Sequence, residues 1–308
     1  MKQAWNRCWS RTCGALALAT MVGCAHGPAT GYTESVAAPL AASAPAGTLQ
    51  GTARVHTSES LRALVAQGQL ALPAGAAGSA PYFGRYADAP TTATRQVPVV
   101  LFLHGSSGLG LAAIGQWQRW LAASGIASLA PDSFALPDRV TYTSPIDPTT
   151  YEQIHALRGS EIDAALGSLR LAPWARQDRL VLAGASEGAV PVARYAGAAF
   201  AGRIVYSWSC EDNYFVRAHG TAVNAAVPVL NVISLSDPFF SPANPWLGNP
   251  AARGHCGSAF VDHPHATIVL IAGAPHTLLN LPAARHATLG FLQDVVGDGL
   301  TARPLAGP

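Results

Sequence analysis

The chain has 308 residues, of which 49% are hydrophobic and only 12% charged, with a formal net charge of +2. That is enough apolar chain to bury one sizeable core, and a single large domain is expected. The only lysine, Lys2, falls with Arg7 and Arg11 in the first 23 residues, where no acid occurs; 19 − 3 leaves 16 basic residues against 17 acids in the remainder. A near-neutral body with scattered arginines offers no electrostatic footprint for nucleic acid. The lack of any other lysine also excludes a Schiff-base mechanism and a phosphate-loop lysine.

In chain order, the first expected element is an export signal over residues 1–23: a basic "MKQAWNRCWSR", a short apolar "ALALATMV" and the small pair "GC", too short to span a bilayer. The segment "MVGC" resembles the lipobox of bacterial lipoproteins, which implies lipid on Cys24 as the mature N-terminus. Ordinary signal cleavage near Ala25 is the alternative. The expected location is a lipid-anchored place in a bacterial envelope, otherwise the periplasm or medium, with the membrane touched only through the anchor. Residues 24–48, rich in Ala, Pro, Gly and Ser, read as a tether.

Residues 49–308 read as one α/β domain, a doubly wound and mostly parallel sheet flanked by helices. Apolar runs with no polar face, as in strands covered on both sides, occur at 97–105, 126–131, 179–184, 203–209, 227–237 and 266–276. Helices are expected between them at about 112–123, 151–171, 188–198 and 282–296.

In such sheets functional groups collect past the carboxyl ends of strands. The run "RLVLAG" ends in Gly184, Ser186 and Gly188, a GxSxG in which a strand turns at once into a helix and leaves the serine projecting from a strained turn. An unactivated serine is a poor nucleophile and needs a base. His276 is the candidate base and Asp237 the carboxylate that orients it; the order Ser, Asp, His, at gaps of 51 and 39 residues by subtraction, suits the fold. Asp212 and Asp262 compete for the acid's place, and His255, His263 and His265 for the base's, but none follows so clean a strand. His104, at the end of the first run, reads as a structural brace. An oxyanion needs two backbone donors: the N–H of Glu187 at a helix start and one from the "HGSSG" loop, best Ser106. Their side chains are not required for that role.

Through "FLHGSSGLG", "GIASLAPDSF", "LAGASEG", "LSDPFF" and "GAPHTLLN", the span of roughly 97–295 resembles the α/β-hydrolase superfamily and, within it, the dienelactone-hydrolase-like esterases. The resemblance implies the α/β-hydrolase fold and a serine hydrolase that cleaves a carboxylic ester or lactone of small-molecule size, with no cofactor. The chain departs from that family's namesakes at two places: Ser186 stands where they have a cysteine nucleophile, and Gly105 where they have an acid. Two other readings stay open, an exported peptidase or amidase using the same triad, and a non-catalytic envelope protein that keeps the fold for binding.

Phe239, Phe240 and Trp246, on the loop past the fifth run, are the candidate pocket residues; the other aromatics near strand ends read as core. Cys210 and Cys256 are the two cysteines left in the exported body, which suggests one disulfide. The rival is a metal held by Cys256 with His255, Asp262, His263 and His265, but their spacing fits no short zinc motif, and no metal is expected.

Overall fold

The computed structural model describes residues 44–297. The expected signal (1–23), the lipidation position Cys24 and residues 25–43 of the tether lie outside the described residues. Among the described residues there are ten strands and five α-helices. The strands are β1 (Thr48–Gln50), β2 (Gln69–Leu72), β3 (Tyr82–Arg85), β4 (Val97–Leu103), β5 (Ala127–Ala130), β6 (Thr141–Thr143), β7 (Ala175–Ala185), β8 (Gly202–Tyr206), β9 (Val229–Ser234) and β10 (Ala266–Ile271). The helices are α1 (Ser58–Ala66), α2 (Ala112–Ala123), α3 (Pro148–Leu171), α4 (Ala189–Arg194) and α5 (Pro282–Val296).

Eight strands form one sheet in the order β10-β9-β8-β7-β4-β5-β2-β3. The six from β10 to β5 run parallel, whereas β2 lies antiparallel to both β5 and β3. β1 and β6 make a separate antiparallel ribbon. This is the expected doubly wound, mostly parallel α/β sheet.

Side chains alternate across a strand, so each strand feeds two cores. Val99, Leu101 and Leu103 of β4, with Leu180 and Leu182 of β7, face the layer of α1, α3 and α4. Val100, Phe102, Val181 and Ala183 face α2 and α5, where Trp117, Leu121 and Leu292 close the other core. Both faces of the central strands are covered, which is why these runs carry no polar alternation. The edge strand β10 differs: no strand among the described residues flanks it on its outer side, and Leu270 there is 41% exposed.

The sequence reading places no strand or helix before residue 97, and the structure corrects it with β1, α1, β2 and β3. Each of these is short. The start of α1 is marked by a reciprocal cap in which Thr57 Oγ1 accepts from the Ser60 N–H and Ser60 Oγ from the Thr57 N–H, with serine where the recognisable box has Glu or Gln. Strand ends are also shorter than the apolar runs. Ser207 and Cys210, both at φ +52°, stop β8 at Tyr206, and Gly273 at φ +66° turns the chain after β10. Asp237 and His276 therefore sit on loops beyond their strands, free to turn toward Ser186.

Candidate active site

β7 ends at Ala185, and Ser186 opens a single helical turn, Ser186–Gly188, that runs into α4. Ser186 takes φ +54°, a left-handed backbone that costs a non-glycine residue about 1–2 kcal/mol. The flanking glycines make so sharp a turn possible. A Cβ on Gly184 would stand 2.2 Å from the Gly188 carbonyl oxygen, and one on Gly188 would stand 2.2 Å from that of Leu103 on β4. Any side chain at either position forces the serine off its perch.

Asp237 is fully buried, and its Oδ2 stands 2.8 Å from His276 Nδ1. That contact puts the proton on Nδ1 and leaves Nε2 as the basic nitrogen. Asp237 Oδ1 accepts the N–H groups of Phe239 at 2.9 Å and Phe240 at 3.1 Å, so the carboxylate both caps the turn and holds the imidazole. Ser207 Oγ donates to the His276 carbonyl at 2.5 Å and fixes the loop from below. Ser186 and His276 line one cavity, though no hydrogen bond joins their side chains among the described residues. Contacts of this kind often close only around substrate. Three of the five rival groups are engaged elsewhere: exposed Asp212 pairs with the His219 ring, His255 Nδ1 accepts from Gly257, and His263 Nε2 meets the Val223 carbonyl, while Asp262 and His265 are exposed and do not line the cavity.

Ser106 lies on the exposed loop after β4 and on the wall of the same cavity. Glu187 is the second residue of the helical turn, so its N–H has no intrahelical acceptor. His104 is the brace that the sequence suggests. Its Nε2 accepts the Ser133 N–H at 3.1 Å, which leaves the proton on Nδ1 to donate to the Gly105 carbonyl at 2.7 Å. Burial, reinforced by the Arg158 charge, holds the ring well below its ordinary pKa of 6.5 and keeps it neutral.

The cavity measures about 160 Å³. Phe239 and Phe240 line it as expected, with the Phe239 ring edge-on to His276 at 4.7 Å. Trp246 does not. It is half-buried behind the wall and packs against Tyr214, ring centroids 4.6 Å apart, so its role passes to Tyr214. Sequence reasoning assigned Tyr214 and Phe215 to the core and did not single out Tyr142, yet all three line the cavity. The clue lies in the left-handed residues that end β8 early and swing "NYF" back over the sheet edge.

Behind the serine lies a buried ionic group with no counterpart in the sequence reading. Glu187 Oε1 meets Arg139 Nη2 at 2.6 Å and Arg158 Nε at 3.6 Å, while Arg158 Nη1 meets Glu161 Oε2 at 3.2 Å. His56 Nε2 stands 3.1 Å from Glu161 Oε1, and Ser133 Oγ donates to that oxygen at 2.5 Å. Burial pushes the Glu187 pKa up, but Arg139 and Arg158 outweigh it and hold the carboxyl below its ordinary 4.5. Only Glu187, by its place after the serine, stands out in the sequence. Arg158 and Glu161, three apart on α3, read as an ordinary surface pair until that face of the helix is seen to be buried.

Cys210 and Cys256 form a disulfide with Cα atoms 4.7 Å apart, which removes the Cys256 thiolate from any metal set. Asn231 of β9 braces it, its Oδ1 accepting the Cys256 N–H and its Nδ2 donating to the Val205 and Trp208 carbonyls.

No protein-family model and no curated protein matches the chain. Solved structures overlap it. One is a Klebsiella pneumoniae protein provisionally assigned as a dienelactone hydrolase, with 15% identity, 74% of this chain and 98% of that one covered, and a TM-score of 0.48. A cold-adapted esterase from an Arctic intertidal metagenomic library gives 16%, 74%, 94% and 0.48, and the protein TT1662 of Thermus thermophilus gives 19%, 68%, 91% and 0.49.

Proposed function

We propose that the protein is a serine hydrolase that cleaves a carboxylic ester or lactone through an acyl-enzyme. The observation that supports this most is the shared cavity: Ser186 on its strained turn faces the same apolar space as His276, whose Nδ1 is held by the buried carboxylate of Asp237. Ser186 Oγ attacks the acyl carbon and passes its proton to His276 Nε2. The N–H groups of Ser106 and Glu187 receive the developing oxyanion, and His276 then protonates the departing alcohol. Water, deprotonated by the same ring, releases the acid and restores the serine. No step calls for a cofactor.

The test is turnover of chromogenic esters of graded acyl length, with matched amides alongside. Wild-type protein is expected to cleave esters and leave the amides far behind; preference for the amide would make it a peptidase or amidase. Ser186→Ala should stay folded and lose several orders of magnitude in kcat, since only binding and oxyanion effects remain. Turnover within a few-fold of wild type would remove Ser186 from the reaction.

We further propose that the chain is exported and anchored by lipid on Cys24. The disulfide supports export, because such bonds persist in oxidising compartments. Cys24→Ser should move the protein from the membrane to the soluble fraction; an unchanged partition between the two sinks the anchor.

A further inference from the structure

Arg158 of α3 spans the two segments that carry the oxyanion donors. Its Nη2 donates to the carbonyl of His104 at 2.8 Å, two residues before Ser106, and its Nε stands 3.6 Å from the carboxylate of Glu187. Another nitrogen of the guanidinium, Nη1, stands 3.2 Å from Glu161 Oε2, and the same Glu187 oxygen that faces Arg158, Oε1, also meets Arg139 Nη2 at 2.6 Å. None of these four side chains is more than 1% exposed. On the loop, the neutral His104 ring adds a second tie through Nδ1–H to the Gly105 carbonyl.

Burying two arginines and two glutamates is weak as a stabilising device, because well-packed apolar residues usually do as well in such a place. What the group supplies is geometry. A guanidinium presents several donors in a rigid fork, so one side chain can fix two pieces of chain relative to each other. Here the two pieces are the loop after β4 and the turn after β7.

We propose that Arg158 is a positioning residue. By hydrogen-bonding the main chain at His104 and pairing its charge with the carboxylate of Glu187 at 3.6 Å, a contact without a hydrogen bond, it sets the spacing of the Ser106 and Glu187 N–H groups, so that both meet the oxyanion without rearranging. This rests on the serine-hydrolase reading. A lysine cannot replace it, since one ammonium group does not reproduce the fork.

Labelling by an alkyl fluorophosphonate tests the idea without knowledge of the natural substrate. Ser186 Oγ forms a bond to phosphorus, the P–F bond breaks, and fluoride leaves as the serine proton passes to His276; the phosphoryl oxygen gains its charge in the same hole. The variants are Arg158→Lys and Glu187→Gln, the second removing the charge while keeping the shape. Each is expected to lower both the labelling rate and kcat for an activated ester by about 100-fold, the scale of one misplaced oxyanion donor. KM should stay within about threefold if ground-state binding is untouched. A group that served packing alone would lower the melting temperature and leave the labelling rate of the folded protein unchanged. Labelling of a folded variant within threefold of wild type overturns the proposal, and failure of both variants to fold would do so by assigning the group to stability. Wild-type protein that does not label at all sinks the serine-hydrolase reading, and the clamp with it.

Discussion

At Asp237 the two carboxylate oxygens serve different partners, and one substitution separates them. Oδ1 accepts the Phe239 and Phe240 N–H groups, while Oδ2 takes the proton of His276 Nδ1. Asp237→Asn keeps an acceptor for the turn but offers His276 an NH₂ group, which turns the imidazole to the wrong tautomer. The variant is expected to fold with a melting temperature near wild type and to lose roughly 10⁴-fold in kcat, as tautomer inversion does in a triad. Ester turnover within tenfold of wild type would leave Asp237 as a turn cap only. The placing of Asp237 beside His276 was legible in the letters "SDP" past an apolar run, because a residue at a strand's carboxyl end has few places to point. Trp246 was not legible in the same way: two aromatics nearer the strand had already filled the wall, and distance along a loop says little about direction.

Among the elements, the central strands and α2 and α5 were readable because burial on two faces leaves an unbroken apolar run, and helices over such strands carry long stripes. The strip before residue 97 was not, since strands of three or four residues and a nine-residue helix whose capping box has serine at its third position have too little sequence in which to show a period. The ionic group behind Ser186 was hidden for a different reason: its members come from separate stretches of chain, and nothing local marks Arg139 or Arg158 as buried. It has a consequence in acid. His104 has a folded pKa below the ordinary 6.5, through burial first and the Arg158 charge second. Below pH 6.5 the unfolded chain therefore binds a proton there that the folded one refuses. Glu187, where the two arginines outweigh the burial that favours the neutral acid, lies below its ordinary 4.5, so its contribution is present above that value and lost beneath it. The signs agree: stability should fall from pH 7 downward, first through His104 and then through Glu187. Melting temperatures at pH 7 and pH 5 should show this in wild type and less of it in His104→Gln, which can still donate to Gly105. An equal drop in that variant would clear His104 of the effect.

At the scale of the whole molecule, the disulfide joins the end of β8 to the segment before β10, across the half of the sheet that carries Ser207, Asp237 and His276. Both cysteines are fully buried in the same core as Phe215 and Phe240, two residues of the cavity wall. Cys210 also begins the segment that brings Tyr214 and Phe215 over the sheet edge. The bond thus constrains the unfolded chain and at the same time anchors the wall of the candidate site. With a separation of 46 residues, the chain-entropy estimate of its stabilisation is about 4 kcal/mol. For a domain of this size that corresponds to a fall of roughly 8–16 °C in melting temperature once the bond is lost. Cys210→Ala with Cys256→Ala should show that fall, and reduction of the wild type under mild denaturant should follow it. Because the wall hangs from the same loop, kcat/KM for an activated ester at 25 °C should also drop in the double variant, while fluorophosphonate labelling, which needs the serine more than the wall, should change less. A double variant that melts within 3 °C of wild type would show that the buried packing around Asn231 and Trp208 holds this half of the sheet without the bond.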